Sequence, residues 1–482
     1  MKEQLMELMK FCSELGADYA DIRVKDILTE AISAEDCAVR NLSKNRTKGA
    51  GIRVYVDGSM GFAATNDFEK LKETAKKACE IAKASRLLQT QKIKLSPKPA
   101  AEDSYRTPYE IDPFTVPLEE KLALLMECEK LMNSVDGVTK TNSRIHFRKE
   151  ESVYCDSEGS YITQEFMQSG GYIQAMAVAG GDAQTRSYPT GMGGNISRAG
   201  YEYIKSLDMT AHALETAEES VKLANAPDCP AGLFDVILDP NQMHLQIHES
   251  IGHPIELDRV FGSESAYAGE SFISPSYLDG SLKYGSEHVT VVADATCQGG
   301  LGCFGYDDDG VKSHNTVIID KGIFKNFITS REYAPKVGQA SNGASLADGW
   351  KNPPLVRMTN INLLPGDFEL DELISGIDYG FYFAVNKSWS IDDKRINFQF
   401  ACEIAYEIKN GKMTGKIYKN PIYSGITTEF WGSCDGVANE KHWVMMGVYN
   451  CGKGQPGQAM RVGHGSSPAR FRKVKVGVSD VK

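Results

Sequence analysis

The sequence predicts an α+β protein in which a two-part N-terminal α/β region precedes a β-rich C-terminal domain. Three observations predict this architecture. In the first half of the chain, segments with the apolar period of an amphipathic helix alternate with segments that have the two-residue period of half-buried strands. A segment rich in proline and polar residues separates two blocks of this kind. The second half is rich in glycine, valine, threonine and aromatic residues with frequent turn signals, which is typical of β structure.

The first block, residues 1–95, predicts an α/β subdomain. Its elements are, in order, a helix over residues 2–16, a strand over 19–33, a β-hairpin over 51–65 and a helix over 66–85. The hairpin is predicted to turn at Asp57-Gly58, because this dipeptide suits the positive φ angles of a tight turn. Asn66 or Asp67 is predicted to cap the following helix. We interpret residues 96–117 as a linker.

The second block, residues 118–226, predicts a second α/β subdomain. Its elements are, in order, a helix over 118–134, strands within 144–166 and 171–181, and a helix near 199–225. Pro230 and Gly232 mark the next boundary, directly before a buried strand. The C-terminal domain is therefore predicted to occupy residues 227–482.

The composition excludes several classes of function. A chain of 482 residues is too long for one ordinary core, which predicts two or three domains. The net charge of -11 argues against nucleic-acid binding, which needs clustered Lys and Arg. No apolar run reaches the roughly 18 residues of a membrane span. Eleven scattered cysteines fit reduced thiols, and the N-terminus has no secretory apolar core, so we expect a cytoplasmic protein.

The segment HLQIHESIGHPIE, residues 244–256, concentrates side chains that bind metals or transfer protons. On a straight α-helix each residue turns by about 100°, so His248 and His253 would point about 140° apart and could not share one ion. His244 and His248 are four residues apart and would lie on the same helix face. By helical spacing alone, His244 and His248 form the better pair.

Two residues beside His253 change this conclusion. Gly252 permits a departure from helical backbone angles, and Pro254 disfavours the helical region for the residue before it. The sequence therefore predicts that the helix ends at about Gly252 and that His253 turns back towards the ion. The spacing does not exclude a metal site.

Glu249 follows the first of these histidines directly, as the glutamate does in HExxH hydrolases. In those enzymes the glutamate takes a proton from a metal-bound water. A catalytic zinc also needs a third protein ligand and one open position. From the residues alone the third ligand stays open, and the candidates are Glu256, Asp258, His288, His314, His464 and a cysteine.

Cys451 is the cysteine of most interest, because it leaves a predicted strand and enters a glycine-rich loop. A thiolate is a strong zinc ligand, although a single cysteine is more often a small core residue. The same segment offers a rival interpretation, since residues 447–454 spell GxxxxGKG, close to the phosphate-binding GxxxxGK[ST]. Gly454 lacks the hydroxyl that would hold magnesium, and the following GQPGQ cannot begin a helix. We therefore reject nucleotide binding.

Four motifs that follow one another along the chain resemble the TldD/PmbA family. They are HESIGHPIELD, FGYDDDGVKSHNTVIIDKGIFKNFITSRE, RMTNINLLPGD and CGKGQPGQAMRVGHGSSPAR. The resemblance covers nearly the whole chain and is specific in its second half. It is closest to the TldD-like, metal-bearing branch, because the PmbA-like branch lacks the HExxxH motif.

The resemblance implies a zinc metallopeptidase. Carried over to this sequence, it makes His248, His253 and Cys451 the Zn2+ ligands and Glu249 the general base. It also implies a dimer that encloses the sites, either a homodimer or a heterodimer with a PmbA-like chain. Short or unfolded peptides are then the substrates. The motif does not require His244, which is expected to contact the ligand residues without binding the metal or to belong to the core.

The main hypothesis is thus a zinc-dependent metallopeptidase with a metal-activated water and a glutamate base. The alternative is a non-catalytic regulatory or binding protein with a structural metal, as the family's older description as a modulator of DNA gyrase implies. Glu249 argues against this alternative, because a structural zinc site needs no general base. A non-proteolytic metal hydrolase such as an amidase would use the same water chemistry and stays open. The sequence does not select the residues that bind substrate.

Overall fold

The computed structural model describes residues 1–267 and 269–477 of the chain. Ala268 and the last five residues of the predicted C-terminal domain, 478–482, lie outside the described residues. Helices and strands are both abundant, and the strands form one large N-terminal sheet and several sheets in the second half. The predicted α+β class is confirmed.

The N-terminal region is built on one eight-stranded sheet. Its strands are β1 (Tyr19–Glu35), β2 (Ala38–Val56), β3 (Ser59–Thr65), β4 (Glu102–Arg106), β5 (Val138–Asp156), β6 (Tyr161–Ala179), β7 (Asp182–Tyr188) and β8 (Asn195–Ser197). Its helices are α1 (Lys2–Glu14), α2 (Leu71–Ser85), α3 (Leu118–Asn133), α4 (Tyr201–Leu207) and α5 (Met209–Ala224). The strand order is β3-β2-β1-β5-β6-β4, and β7 and β8 also pair with β6.

The two N-terminal blocks of the sequence share this sheet. Strand β1 from the first block pairs antiparallel with β5 from the second along almost its whole length, from Asp21 opposite Asp156 to Glu35 opposite Asn142. Each block adds its own helices to the sheet. Helices α1 and α2 bury one apolar cluster, which includes Leu5, and α3, α4 and α5 bury another, which includes Leu125.

The segment interpreted as a linker, residues 96–117, contains strand β4. This strand pairs parallel with β6, from Glu102 opposite Tyr161 to Arg106 opposite Glu165. Its residues are mostly exposed, as expected of a short edge strand with charged side chains. Strand β4 could not be predicted from the sequence, because a polar edge strand has no apolar alternation to reveal it.

The C-terminal region begins with β9 (Gly232–Leu238) and is predominantly β, as expected. Its further strands are β10 (Val291–Asp294), β11 (Asn315–Asp320), β12 (Ile323–Phe324), β13 (Ser345–Leu346), β14 (Leu355–Val356), β15 (Ile361–Leu363), β16 (Tyr379–Ile391), β17 (Asn397–Lys409), β18 (Lys412–Lys419), β19 (Ile422–Ile426), β20 (Cys434–Val437), β21 (Val444–Lys453), β22 (Gln458–Ser466) and β23 (Ala469–Val476). Its helices are α6 (Pro240–Ile247), α7 (Leu257–Val260), α8 (Leu370–Ser375) and α9 (Thr427–Gly432).

Three features of this region position the site described below. Strands β16, β9, β23, β19 and β17 follow one another in one sheet, and the pairing of β17 with β16 closes them into a ring. Helix α6 directly follows β9 and is buried almost throughout, with Met243 and Ile247 in the largest apolar cluster. Strands β21 and β22 form a separate two-stranded sheet beside α6.

A buried ion pair and a hydrogen bond join the N-terminal sheet to the C-terminal region. The Arg53 guanidinium donates from Nε to Asp21 Oδ2 at 2.8 Å and from Nη2 to Asp309 Oδ1 at 2.6 Å. Arg23 donates to the Asn352 carbonyl at 2.8 Å. Asp309 belongs to the acidic segment GYDDDG, residues 305–310, which therefore helps to hold the two regions together. None of the helices in the described ranges has the length and apolar character that a bilayer crossing needs.

Candidate metal centre

Helix α6 begins with a well-formed N-cap. Asp239 Oδ1 accepts a hydrogen bond from the Gln242 backbone N–H at 2.7 Å, and Pro240 occupies the first helical position. Asp at the cap and Pro in the first turn both favour a helix start, because the first-turn N–H groups lack partners within the helix. The cap fixes where the helix begins and therefore which way His244 and His248 point.

The helix continues past Ile247 as a π-helical turn over His248–Gly252. The His253 backbone N–H donates to the His248 carbonyl at 3.1 Å, which is the five-residue hydrogen bond of a π turn. The wider turn brings residues five apart back to one face. The predicted end of the helix at about Gly252 is confirmed, but the departure from α-helical geometry begins earlier, at His248, and His253 itself keeps helical angles of φ -66° and ψ -42°.

Gly252 has a packing role in place of the predicted conformational one. A Cβ atom at this position would lie 2.2 Å from Met358 Sδ, well inside contact distance. Met358 is fully buried. Glycine thus allows the π turn to pack closely against Met358. The φ of Gly252 is not positive, so glycine is not needed here for an unusual backbone conformation.

His248, His253 and Cys451 converge on one point. One side-chain ligand atom from each lies within 4.8 Å of the others, and all three residues are buried. Cys451 Sγ is 3.8 Å from His253 Nε2. Cys451 is the residue at which the β21–β22 register resumes after an irregularity that begins at Val448. Such a bulge re-aims side chains, and here it accompanies a cysteine directed towards His253.

A second histidine orients His248. His464 Nε2 lies 2.8 Å from His248 Nδ1, and His464 Nδ1 lies 3.2 Å from the Ile361 carbonyl oxygen. A carbonyl only accepts, so His464 Nδ1 carries a proton and His464 Nε2 accepts from His248 Nδ1. This arrangement leaves the lone pair of His248 on Nε2, which is the state that binds a metal.

A buried carboxylate orients His253 in the same way. Glu256 Oε2 lies 3.0 Å from His253 Nδ1 and 3.3 Å from Lys453 Nζ, and it also accepts from Arg259. Lys453 makes a second ion pair with Asp258 at 2.7 Å. Burial alone would raise the pKa of Glu256, but Lys453, His253 and Arg259 hold it well below its usual range. Glu256 therefore stays charged and accepts the Nδ1 proton of His253, so that Nε2 faces Cys451.

Burial sets the protonation of the three converging groups. It lowers the pKa of both His248 and His253, so the imidazoles are neutral and available as ligands. It raises the pKa of the Cys451 thiol to about 11. Arg357 donates a hydrogen bond to the Cys451 carbonyl and holds the backbone at this point.

Glu249 projects into the same space from the π turn. Its Oε2 accepts a hydrogen bond from Arg395 Nη1 at 2.5 Å. Burial lowers the pKa of Arg395, and the neighbouring Glu249 opposes this effect. The two side chains form an ion pair at the wall of the cavity described next.

The three converging side chains, Glu249 and Arg395 line a cavity of about 420 Å³. Its walls come from a loop of the N-terminal region (190–194), from the end of β16 and from β21. His244, His248, Glu249, His253, Arg395 and Cys451 face it. The volume is within the range of ligand pockets in proteins. The converging group is thus accessible from a pocket large enough for a ligand.

The structure separates the other candidate ligands into different roles. His464 and Glu256 contact the imidazoles of His248 and His253, and Asp258 pairs with Lys453. His288 and His314 are exposed and do not line the cavity. His244 is buried beside the site, as expected, and it lines the cavity one helical turn before His248.

Sequence reasoning missed two charged residues of the site, Arg395 and Lys453. Lys453 lies in the CGKG motif that the sequence analysis compared with a phosphate loop, and its ammonium is fully buried between carboxylates. Arg395 lies 146 residues from Glu249 in sequence, and no local pattern marks it.

Comparison with known proteins places the chain in a family. Models of PmbA/TldA metallopeptidase domain 1, central domain and C-terminal domain match residues 20–82, 111–226 and 231–478. A metalloprotease of Methanocaldococcus jannaschii is 31% identical over 96% of this chain and 98% of its own length. A zinc metalloprotease TldD homolog of Saccharolobus solfataricus is 26% identical over 98% of this chain and 99% of its own.

Two solved structures share the fold at low identity. TldE from Thermococcus kodakarensis superposes with a TM-score of 0.72 and 18% identity, covering 98% of this chain and 99% of that one. A Thermotoga maritima protein, described provisionally as a modulator of a DNA gyrase, superposes with a TM-score of 0.78 and 14% identity over 99% and 100%.

The three domain matches and the converging His-His-Cys group are together those of a metallopeptidase. The chain belongs to the PmbA/TldD family of metallopeptidases. The predicted family is thereby confirmed. The domain boundaries, the roles of His248, His253, Cys451 and Glu249, and the identity of the metal stay predictions.

Proposed function

We propose that this chain is a zinc-dependent peptidase that hydrolyses short or unfolded peptides. One observation carries the proposal: two imidazoles, a thiol and a carboxylate from distant parts of the chain face one cavity in a family of metallopeptidases. His248, His253 and Cys451 are the proposed ligands and Glu249 the proposed general base.

The donor set fits zinc. Two imidazole nitrogens and one thiolate are typical zinc ligands, and a three-residue set leaves the open position that a catalytic site needs. A thiolate favours zinc over magnesium or manganese. The two histidines present Nε2 lone pairs because His464 and Glu256 occupy their Nδ1 atoms. A zinc ion held here would lower the pKa of a bound water and polarise a carbonyl group.

Glu249 supplies the proton transfers. It follows His248 directly and faces the same cavity, so its carboxylate is within the region that an attacking water would occupy. Glu249 takes one proton from that water and later gives it to the leaving amine. The water oxygen bonds to the carbonyl carbon, and the bond between that carbon and the peptide nitrogen breaks. A peptide bond and one water are consumed, and a carboxylic acid and an amine are formed.

The cavity suits an extended chain. Strand β21 borders it with residues 447–452, and in the described ranges β21 pairs as a strand only with β22, while Asn195 occupies the Met445 carbonyl and the Gly447 N–H. An extended peptide can therefore add a strand beside β21, with main-chain hydrogen bonds that do not depend on sequence. A folded protein could not place its backbone in this cavity, which favours short or unfolded substrates.

The test combines metal content with hydrolysis. The protein is purified without chelators, zinc per chain is measured by mass spectrometry, and cleavage of a denatured protein is compared with cleavage of its folded form. We expect about one zinc per chain and selective cleavage of the denatured form. Glu249→Gln should keep the zinc and lose cleavage, whereas Glu440→Gln, a surface change in the same region, should keep both. Equal cleavage of folded and denatured protein would refute the substrate class.

The same variants separate the rival functions. A regulatory protein with a structural metal would bind zinc, cleave nothing and be indifferent to Glu249→Gln. An amidase would hydrolyse small amides but not peptides, and a panel of both kinds of substrate distinguishes the two.

We further propose that the protein acts in the cytoplasm as a dimer, with a second copy or with a PmbA-like chain. Eleven free thiols fit a reducing compartment. Light scattering of the purified chain, alone and mixed with a PmbA-like chain of the same organism, measures the assembly. A monomer under both conditions would refute the dimer.

A further inference from the structure

Arg395 is a charged residue of the cavity to which the proposed function assigns no role. It lines the cavity beside Glu249, and among the described lining residues it contributes the only guanidinium or ammonium group. Its Nη1 donates to Glu249 Oε2 at 2.5 Å. Among the described residues, the cavity thus holds one strong cation, positioned at the carboxylate that the proposed function makes the general base.

The backbone around Arg395 is tied down from three sides. The Arg395 N–H donates to the Asp392 carbonyl at 2.9 Å, and Thr427 Oγ1 donates to the Arg395 carbonyl at 2.7 Å. The carbonyls of the two preceding residues accept from Glu270 N at 2.7 Å and from Phe272 N at 3.0 Å. Arg395 itself has φ of 65°, which non-glycine residues seldom adopt. The guanidinium is therefore presented from a fixed anchor at the tip of the β16–β17 hairpin.

The contact with Glu249 locates the guanidinium relative to the reaction. A general base must lie within hydrogen-bond reach of the attacking water, and that water must lie beside the scissile carbon. Because Arg395 is hydrogen-bonded to Glu249, its guanidinium is a few ångströms from the scissile carbonyl. A guanidinium has five N–H donors, so a contact through Nη1 to Glu249 is compatible with donation to a second oxygen.

We propose that Arg395 is a catalytic residue that donates a hydrogen bond to the oxygen of the scissile carbonyl as that oxygen becomes negatively charged. This inference rests on the proposed peptidase function. When the water oxygen bonds to the carbonyl carbon, the π-electron pair moves onto the carbonyl oxygen and Glu249 holds the water proton. Arg395 then stabilises the new oxyanion until the carbon–nitrogen bond breaks and Glu249 protonates the amine. A charge-assisted donor aimed at a developing oxyanion is a large contribution to catalysis.

The first measurement is steady-state hydrolysis of a peptide by Arg395→Gln and Arg395→Lys. Loss of one oxyanion donor lowers kcat by about 100- to 1000-fold. We expect a decrease of that size in Arg395→Gln, with KM changed less than about threefold, and partial recovery of kcat in Arg395→Lys, because lysine keeps the charge but not the planar fork. Lys394→Gln is the matched control, since it removes one positive charge from the neighbouring, exposed position of the same turn.

The second measurement does not depend on turnover. A phosphinic peptide, whose tetrahedral anionic group imitates the intermediate, is titrated calorimetrically into the zinc-loaded wild type and Arg395→Gln. A neutral peptide of the same sequence is titrated into Glu249→Gln and into Glu249→Gln combined with Arg395→Gln. We expect about 100-fold weaker binding of the phosphinic peptide without Arg395, as for a lost transition-state contact, and nearly equal binding of the neutral peptide.

The outcomes separate two failures. A wild type that neither cleaves peptides nor binds the phosphinic peptide refutes the peptidase function, and the role of Arg395 with it. A wild type that does both, with an Arg395→Gln variant that matches it, refutes the role of Arg395 alone. An increase in KM at constant kcat, restricted to peptides with a free C-terminal carboxylate, would also refute the oxyanion role. Arg395 would then bind the C-terminal carboxylate of the substrate.

Discussion

His464 Nε2 lies 2.8 Å from His248 Nδ1, although the two residues are 216 positions apart. His464 is itself fixed by the Ile361 carbonyl. The sequence of hydrogen bonds from the Ile361 carbonyl through His464 to His248 permits only one tautomer for each imidazole. His464 in β22 thereby determines which nitrogen His248 on the π turn presents to the cavity.

Replacement of His464 should weaken zinc binding without removing a ligand. We expect His464→Leu to lower zinc affinity by about 10- to 100-fold, because residues that orient a metal ligand typically contribute this much. His464→Gln keeps an acceptor oxygen and should lose less. Competition with a fluorescent chelator measures the affinity. His442→Gln is the control at a partly exposed position outside the cavity, and equal affinities for all four proteins would contradict this role of His464.

Removal of the thiol at Cys451 should have a larger effect. Cys451→Ala deletes one of three proposed ligands, and we expect zinc affinity to fall by more than about 100-fold, beyond the effect of an orienting residue. Mass spectrometry of metal content per chain provides the measurement. Cys434→Ala removes another buried thiol of the same region and should keep the zinc. Full zinc content in Cys451→Ala would show that the third ligand lies elsewhere.

The Lys453 ammonium should be important for stability as well as for the site. It is fully buried between Glu256 and Asp258, so Lys453→Met leaves uncompensated charge in the interior. We expect the free energy of unfolding to fall by about 3–5 kcal/mol, as for other broken buried pairs.

Denaturant unfolding of Lys453→Met, with and without Asp258→Asn, measures this effect. Because Asp258→Asn removes the carboxylate that loses its main partner, the double variant should recover part of the stability. Glu256 keeps His253 and Arg259 as partners in the double variant. A Lys453→Met protein as stable as the wild type would show that the buried pair contributes nothing to folding.

Asp239, the cap of α6, should make stability depend on pH. Burial raises its pKa to about 6, although its hydrogen bonds and Arg186 oppose this effect. A carboxyl whose pKa is higher in the folded than in the unfolded state stabilises the fold at low pH, and this contribution is lost as the pH rises through the folded value. The loss should therefore occur between about pH 4, the unfolded pKa of Asp, and about pH 6.

The variant Asp239→Asn keeps an acceptor oxygen for the cap and has no charge to bury. Relative to the wild type, we expect its free energy of unfolding to be about 2–3 kcal/mol higher at pH 8 and about equal at pH 4, since one pKa unit corresponds to about 1.4 kcal/mol. Denaturant midpoints across this range test the expectation. Asp136→Asn, at an exposed position, should show no such trend. A constant difference between Asp239→Asn and wild type at all pH values would contradict it.

Local patterns in the sequence predicted the local structure well. The hairpin turns at Asp57 and Gly58, where both residues have the positive φ expected of this dipeptide, 49° and 76°. Helix α3 covers Leu118–Asn133, within one residue of the prediction. These features depend on the intrinsic preferences of neighbouring residues, which a single sequence displays directly.

The interior of the candidate site could be predicted only in part. The resemblance selected His248, His253 and Cys451 as a group, and the structure brings these three together. The π turn could not be foreseen, because it packs against residues that are distant in sequence, such as Met358 beside Gly252. Arg395 could not be found for the same reason, since its position depends on the register of β16 and β17.

The continuous pairing of β1 with β5 has a consequence for how this chain could be divided. Residues 20–82 and 111–226 match two separate family domains in sequence. We expect them not to fold as separate cooperative units, because each would leave the long edge of a strand without its neighbour. A gene fragment that ends between them encodes a polypeptide with an unpaired strand edge, which can pair with other chains. Two fragments produced together can instead restore the sheet across the cut.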